Sequence, residues 1–343
     1  MKRIGIVILA GLAVLAPAFG GVVKTQKSTL AFKSLGSWTA VTTDRLTADR
    51  KLSETESEFK GKGLLGSLAG KTVFRSGKTG ELVDLAAKTI TTIDHKRKEY
   101  TVASIEKFAQ DRQAALADAG QKPADKGQTE SDIRIVKSEF KVTDSGETKA
   151  VNGFDCRKFE VRWIVDWENV KTGEKGTDKL ETDVWATPET AALKSAQAEE
   201  MAFGKAYLKA MGLDADKLQR DILGTEWIGI MTSLDPMSGG SKMKLEPGVV
   251  AREMAKIKGY PIVIDGKYSP APKAKPAEEK EESVSSVGGA LGKLGKGLLK
   301  KKPDPAEENA PALAFKTEVV SLEAAAVEAE SLQVPANYKN KTK

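Results

Sequence analysis

Between Lys158 and Glu168 the chain alternates with a period of two. Phe159, Val161, Trp163, Val165 and Trp167 are interleaved with Lys158, Glu160, Arg162, Ile164, Asp166 and Glu168. That period puts the first set on one face of a strand and the second on the other. One face is unusually aromatic and the other is mostly charged. A strand with one dry and one wet face belongs in an antiparallel sheet covered on one side only. The run Phe154 to Trp167 is therefore the clearest strand, and the turn Lys171 to Gly176 leads to the next, Lys179 to Ala186.

Weaker strand patterns lie at Val22 to Ala31, Trp38 to Thr47, Thr72 to Arg75, Glu81 to Leu85, Thr89 to Ile93, Glu99 to Val102 and Ile133 to Val142. Asp94 to Arg97 supplies a polar turn. Helical signals alternate with these. Ser104 is an N-cap for a helix ended by Gly120. Thr187-Pro188 has the form of an N-cap followed by proline at the first helical position, predicting a helix to Met211 with Gly212 as its stop. Asp214 caps a second helix towards Leu223, and Pro247 to Lys258 forms another, ended by Gly259. Two strands, Tyr260 to Ile264 and Ala314 to Leu322, close the pattern. The predicted class is α+β: a curved antiparallel sheet with helices from Ser104, Thr187 and Pro247 packed on one side.

The N-terminus reads as a secretory signal peptide over residues 1–20. Lys2 and Arg3 precede an uncharged apolar run, and Ala16-Pro17-Ala18 or Ala18-Phe19-Gly20 offers a cleavage site. The rival reading is an uncleaved anchor, since Ile4 to Val23 carries no charge. Pro17 and the small residues favour cleavage, and hence a periplasmic or secreted protein. No Cys follows the run, so a lipoprotein anchor is excluded.

The whole chain has 343 residues with one His and one Cys. A zinc site needs three or four such ligands, so no metal site of that kind is expected. A Ser-His-Asp centre would have to use His95, which falls in a turn among Lys96, Arg97 and Lys98 and reads as exposed. Cys156 cannot form an intramolecular disulfide and reads as a small buried apolar residue. The net charge of +6 is mild and unclustered, which argues against nucleic acid as a partner.

Ser269 to Pro311 stands apart. Prolines, an acidic block at Glu278, Glu279, Glu281 and Glu282, and a Gly/Leu/Lys run leave nothing to bury. It reads as a mobile insertion, residues 269–311, between two strands of one domain, 21–268 plus 312–343. Within it Leu291, Leu294 and Leu298 recur at helical spacing beside Lys293, Lys296 and Lys300, a pattern that suits an anionic membrane surface. The glycines among them oppose a stable helix and favour a solvated linker.

Several motifs match by letters alone. Gly61-Lys62-Gly63-Leu64-Leu65-Gly66 has the dinucleotide spacing without a hydrophobic strand before it, so Gly61 to Gly70 reads as a flexible loop. Gly70-Lys71-Thr72 and Gly77-Lys78-Thr79 lack the first glycine of a P-loop. Gly239-Gly240-Ser241 lacks the second half of a nucleophile elbow. Ser57 with Lys60, and the Lys-Thr-Gly triplets at Lys78 and Lys171, lack the Ser-Asp-Asn element between them, and the triplets fall in expected turns. No enzyme chemistry and no cofactor is expected.

Five segments carry a family resemblance: Asp84 to Phe108, Val151-Asn152-Gly153-Phe154-Asp155-Cys156, Asp183-Val184-Trp185-Ala186-Thr187-Pro188, Gly259-Tyr260-Pro261 and Val334-Pro335-Ala336-Asn337-Tyr338-Lys339. Together they resemble an uncharacterised family of bacterial secreted proteins related to the outer-membrane lipoprotein carriers. The resemblance spans most of residues 22–340 outside the insertion. It departs at Leu332, where such tails often carry Phe. It implies a half-open antiparallel barrel (half-barrel) around helices, with an apolar cavity of the kind in which the carriers hold acyl chains. No catalytic residue transfers. The function expected is non-catalytic binding of a lipid or other apolar ligand in the envelope, on the face of Phe159, Val161, Trp163, Val165 and Trp167, a face that also reads as packed core, since aromatic side chains carry much of the buried area there. The alternative is an interaction protein that uses the insertion for membrane or partner contact.

Overall fold

The computed structural model describes residues 20–72, 74, 76–111, 133–212, 247–271 and 310–342. Twelve strands form one sheet: β1 (Val22–Phe32), β2 (Gly36–Leu46), β3 (Arg50–Gly61), β4 (Gly77–Asp84), β5 (Thr89–Asp94), β6 (Glu99–Ser104), β7 (Ile133–Val151), β8 (Phe154–Asn169), β9 (Lys175–Thr187), β10 (Tyr260–Ser269), β11 (Leu313–Ala324) and β12 (Lys339–Asn340). Their order across it is β12-β6-β5-β4-β3-β2-β1-β11-β10-β9-β8-β7. Only β12 against β6 is parallel. Three helices accompany it, α1 (Gly63–Thr72), α2 (Ala191–Ala210) and α3 (Pro247–Met254), with a helical stretch from 105 to 111. The protein is mostly β, and its sheet is neither closed nor strongly curled, which sets it apart from the expected half-barrel.

The helices do share one side. Trp163 stands opposite Leu180, Leu180 opposite Tyr268, Tyr268 opposite Leu313 and Leu313 opposite Phe32. Directly paired residues point to the same face, and alternate residues along β1 carry that face back to Val22. Met254 and Ile257 pack with Trp163 at one end of it. Ala196 and Phe203 of α2, with Ile105, pack on Val22, Leu46, Val83 and Ile90 at the other. At the far edge, Glu253 of α3 accepts the Val142 N–H at 2.9 Å, which occupies a main-chain donor that an edge strand otherwise leaves open. The opposite face is mostly wet. Over β3–β5, however, Leu332, Val327, Val334 and Tyr338 of the C-terminal segment pack on Leu52, Leu82 and Ile93.

Three local expectations need correction. Gly61–Gly70 is not a loop, because α1 begins at Gly63, and Thr72 ends that helix rather than opening a strand. The glycines act in packing: a Cβ on Gly61 would lie 2.6 Å from the Gly66 carbonyl carbon, and one on Gly70 would lie 2.8 Å from the Phe59 ring. Strand β3 does not match an apolar template, because its period shows in charge, with Glu54, Glu56 and Glu58 on the face away from the helices. Thr187 is not an N-cap. It stays in β9 opposite Tyr260, and Thr190 caps α2 by accepting the Leu193 N–H at 3.2 Å. The helix ends as expected, with Gly212 at φ +73°. The expected helix from Asp214 lies outside the described residues. Strands β10 and β11 pair antiparallel through Tyr268 and Leu313, so the chain leaves the sheet and re-enters it on adjacent strands.

Adjacent residues of β8 test this assignment of faces. Trp163 is 1% exposed, whereas Arg162 points to water. Trp163→Ala is expected to cost about 3–5 kcal/mol, and Arg162→Ala within about 0.5 kcal/mol of nothing. Urea unfolding of the two variants checks both values.

Candidate functional site

The structure brings the five predicted ligand-face residues together, but as packed core. Phe159, Val161, Trp163 and Val165 are buried among Phe140, Leu180, Tyr268 and Phe315, and Trp167 is half-buried. Their polar atoms are also satisfied. Trp163 Nε1 donates to Ser138 Oγ at 3.1 Å, and Trp167 Nε1 donates to Asp178 Oδ1 at 3.1 Å. Asp178 additionally accepts the Tyr268 hydroxyl at 3.2 Å and the Ala271 N–H at 2.8 Å. Burial, with Asp178 alongside, pushes the Tyr268 phenol above its ordinary value. Gly176 and Gly266 leave the room that the Trp167 and Phe315 rings occupy. The face predicted to hold a ligand is therefore filled by its own side chains. The other predicted contact residues, Leu291, Lys293, Leu294, Lys296, Leu298 and Lys300, lie outside the described residues.

Two clefts lie beneath α2, apart from a polar one of ≈ 420 Å³ beside Glu160, Arg162, Asp183 and Asp265. Residues 193, 196, 200, 203 and 207 fall at helical three- and four-residue spacing, which sets them on one face of the helix. A cleft of ≈ 380 Å³ is lined by Leu193 and Ala196 with Leu322, Phe154 and Pro188. A second, of ≈ 250 Å³, is lined by Phe203, Gly204 and Tyr207 with Val22, Leu46 and Val83. Between them Lys24 of β1 meets Glu200 at 2.5 Å, and the buried Tyr260 hydroxyl donates to the other Glu200 oxygen at 3.1 Å. Burial works against the Lys24 charge, but Glu200, Tyr260 and Asp44 more than offset it and hold the ammonium above its ordinary pKa. Lys24 stands directly opposite Leu322, so the two clefts meet at this pair. The sequence held the helix and its spacing. It hid Lys24, because β1 reads as Val22, Lys24, Gln26, Ser28, Leu30 and Phe32 on this face, polar in its middle.

His95 does sit in the expected turn, but it is not exposed. Its side chain is 13% accessible. Nδ1 lies 2.9 Å from the Tyr338 hydroxyl, and Nε2 lies 3.5 Å from Glu54 Oε1 without a hydrogen bond. Glu54 also meets Arg45 at 2.7 Å and Lys78 at 3.3 Å. This group pins the C-terminal segment to the sheet. The burial and the tail contact escaped sequence reasoning because the two partners are 243 residues apart.

Gly239-Gly240-Ser241 lies outside the described residues, and the other motifs lack the geometry that their letters would need. A strand and a helix do flank Gly61 to Gly66, but β3 and β4 are antiparallel, and no parallel βαβ unit exists there to aim the helix at a pyrophosphate. Ser57 and Lys60 are three apart on β3, hence on opposite faces. Lys78-Thr79-Gly80 lies in β4, not in a turn. Cys156 is 3% exposed as expected, and burial pushes its thiol up, away from the reactive thiolate. Among the described residues no cluster of His, Cys, Asp and Glu could hold a metal, and no helix is long and apolar enough to cross a membrane. No protein-family model, no curated protein and no solved structure matches the chain.

The pH dependence of the tail contact follows from its surroundings. Burial, and then Lys78, lower the His95 pKa below 6.5, against the opposing pull of Glu54 and Asp94. The unfolded chain therefore takes the proton first. The contribution of neutral His95 is complete above the ordinary histidine value and is lost as the pH falls through the folded one. The chain's one imidazole should titrate by NMR with a midpoint below the free value. The urea midpoint of the wild type should fall across that window more steeply than that of His95→Gln. A midpoint at or above the free value refutes the account.

Proposed function

We propose that the protein binds an apolar or amphiphilic ligand in the cell envelope, without catalysis, in the trough between α2 and the covered face of the sheet. The observation that carries this reading is the pair of clefts under one helix face, walled by Leu193, Ala196, Leu322, Val22, Leu46 and Phe203. Small-molecule sites are commonly concavities of about 300–1,000 Å³ with apolar walls and few polar groups. The larger cleft has that size, and Leu193, Ala196, Leu322 and Phe154 give it apolar walls; the smaller joins apolar walls to a charged floor of Lys24, Asp44, Lys51, Glu81 and Glu200. The signal-peptide pattern of residues 1–20 supports an envelope location. In the lipoprotein carriers that the sequence resembles, the half-barrel interior holds the acyl chain. On this reading the trough under α2 takes that place. The aromatic residues Phe159 to Trp167 then hold the sheet together and do not touch the ligand.

Nile red, an uncharged apolar fluorophore, tests the reading. The wild type should bind it with a blue-shifted emission. Ala192 is exposed and lines the larger cleft, so Ala192→Trp should fill that space without unfolding the protein and weaken binding about ten-fold or more. Native mass spectrometry of protein purified from a cell envelope should also show retained lipid. No dye binding together with no retained lipid overturns the proposal.

A further inference from the structure

Helix α1 stands at the end of the sheet where β1 turns into β2 and where β3 stops. The Lys62 N–H donates to the Leu35 carbonyl of that turn at 2.9 Å. The helix lays its glycines inward. A Cβ on Gly66 would collide with the Leu35 carbonyl, and one on Gly70 would lie 2.8 Å from the Phe59 ring. Residue 64 precedes Gly66 by two positions, which sets it close to the opposite side of the helix. Leu64 accordingly points away from the sheet and is 84% exposed.

A single exposed leucine is ordinary on a protein surface. This one has company of two kinds. Phe32, Trp38, Phe59 and Phe74 are half-buried at the same end. The Phe74 ring centre lies 5.2 Å from that of Phe32 and 4.9 Å from that of Phe59, and Trp38 stands opposite Phe59. The second kind is charge. Residues 31–39 and 59–72 meet here, and neither stretch holds an Asp or a Glu. Between them they carry Lys33, Lys60, Lys62 and Lys71. The mild net charge of the whole chain hides this, because the fold gathers two stretches that lie apart in sequence. Lys60 reaches back to Glu58 at 3.6 Å, but the two side chains are 73% and 65% exposed, and such a pair holds little. Nothing here requires a free ammonium, since each has three donors and one held by a neighbour still reaches a phosphate.

We propose that this end of the sheet seats on an anionic phospholipid surface. Leu64 enters the boundary between head groups and acyl chains, the half-buried rings lie behind it, and the lysines meet lipid phosphates. Apolar side chains backed by aromatic rings and flanked by lysine are the combination that a bilayer interface rewards. The inference is independent of what the trough under α2 holds.

A dye placed at the contact tests it. Cys156 is 3% exposed, so the fluorophore NBD attaches only to an introduced thiol. On vesicles of phosphatidylcholine with about one-third phosphatidylglycerol, NBD on Leu64→Cys should shift to the blue and brighten about two-fold or more. NBD on Val136→Cys, at a 61% exposed position of the edge strand β7, should keep its emission in water. In vesicle sedimentation of unlabelled protein, Leu64→Asp should weaken binding about ten-fold or more. An acidic residue suits the first turn of a helix, so this variant keeps its fold. Raising the salt from about 0.1 M to about 0.5 M should also weaken binding several-fold. No sedimentation with these vesicles overturns the inference. So does a dye at residue 64 that stays in water while the protein sediments. Binding lost in Leu298→Asp but unchanged in Leu64→Asp overturns it as well, and assigns the contact to the 269–311 insertion.

Discussion

Asp178 sits in β9 opposite Val165, at a position whose face is otherwise apolar, and its carboxylate takes hydrogen bonds from Trp167, Tyr268 and Ala271. A buried carboxylate is tolerated only when its lone pairs are satisfied, and bonds to a charged acceptor are about twice as strong as neutral ones. These three donors come from β8, β10 and the residues just beyond β10. The interaction therefore holds two large aromatic rings inward across three strands. Everything at that end of the sheet follows from it. The rings lie over Gly176 and beside the Phe315 that covers Gly266, and the side chains themselves fill this part of the face. The aromatic stripe becomes a girder, and the open space is left at the other end of the same face.

Among the described residues three helices lie against a sheet of twelve strands. The covered face is accordingly divided. The Trp163 cluster closes one end and the Phe203 cluster the other. Between them the face is polar, with Thr42 and Thr55 hydroxyls 2.9 Å apart and Ser28 beside Thr317. The second apolar surface that needs cover, around Leu52 and Ile93, receives the C-terminal segment, and the His95–Tyr338 contact fixes where that segment lies. Each layer rests its apolar side chains on the part of the sheet whose alternation is apolar on its side, and meets the polar rows through single contacts such as Lys24–Glu200 and His95–Tyr338.

The strands with apolar alternation were legible in the sequence, and so were the paired strands that flank the 269–311 insertion. What failed did so for identifiable reasons. Strand β3 alternates in charge, so an apolar template passes over it. Helix α1 is rich in glycine, which lowers helix propensity by about 1 kcal/mol each, yet close packing of Gly61, Gly66 and Gly70 requires those residues. Thr187-Pro188 has the letters of a helix start, but pairing with Tyr260 keeps Thr187 in the sheet and passes the cap to Thr190. The candidate site was the least legible part. A period of two shows which residues share a face. It does not show whether that face meets another layer or open space, and for Trp163 that distinction decides between core and ligand surface.

The Lys24–Glu200 pair sets the packing of this trough. A buried ion pair gains little over well-packed apolar residues of the same size, because desolvation consumes most of the attraction. Apolar side chains at these two positions would join Phe203, Val22 and Leu46 in a continuous seam and close the space under α2. The pair prevents that closure. Lys24 lifts a long polar side chain into the interface, and Glu200 and Tyr260 meet it there. The helix is thereby fixed in register on β1 while clefts stay open on both sides of the contact. A helix held at one buried charged point, with unfilled space before and after it, is the arrangement in which an apolar chain can enter without first displacing a packed core.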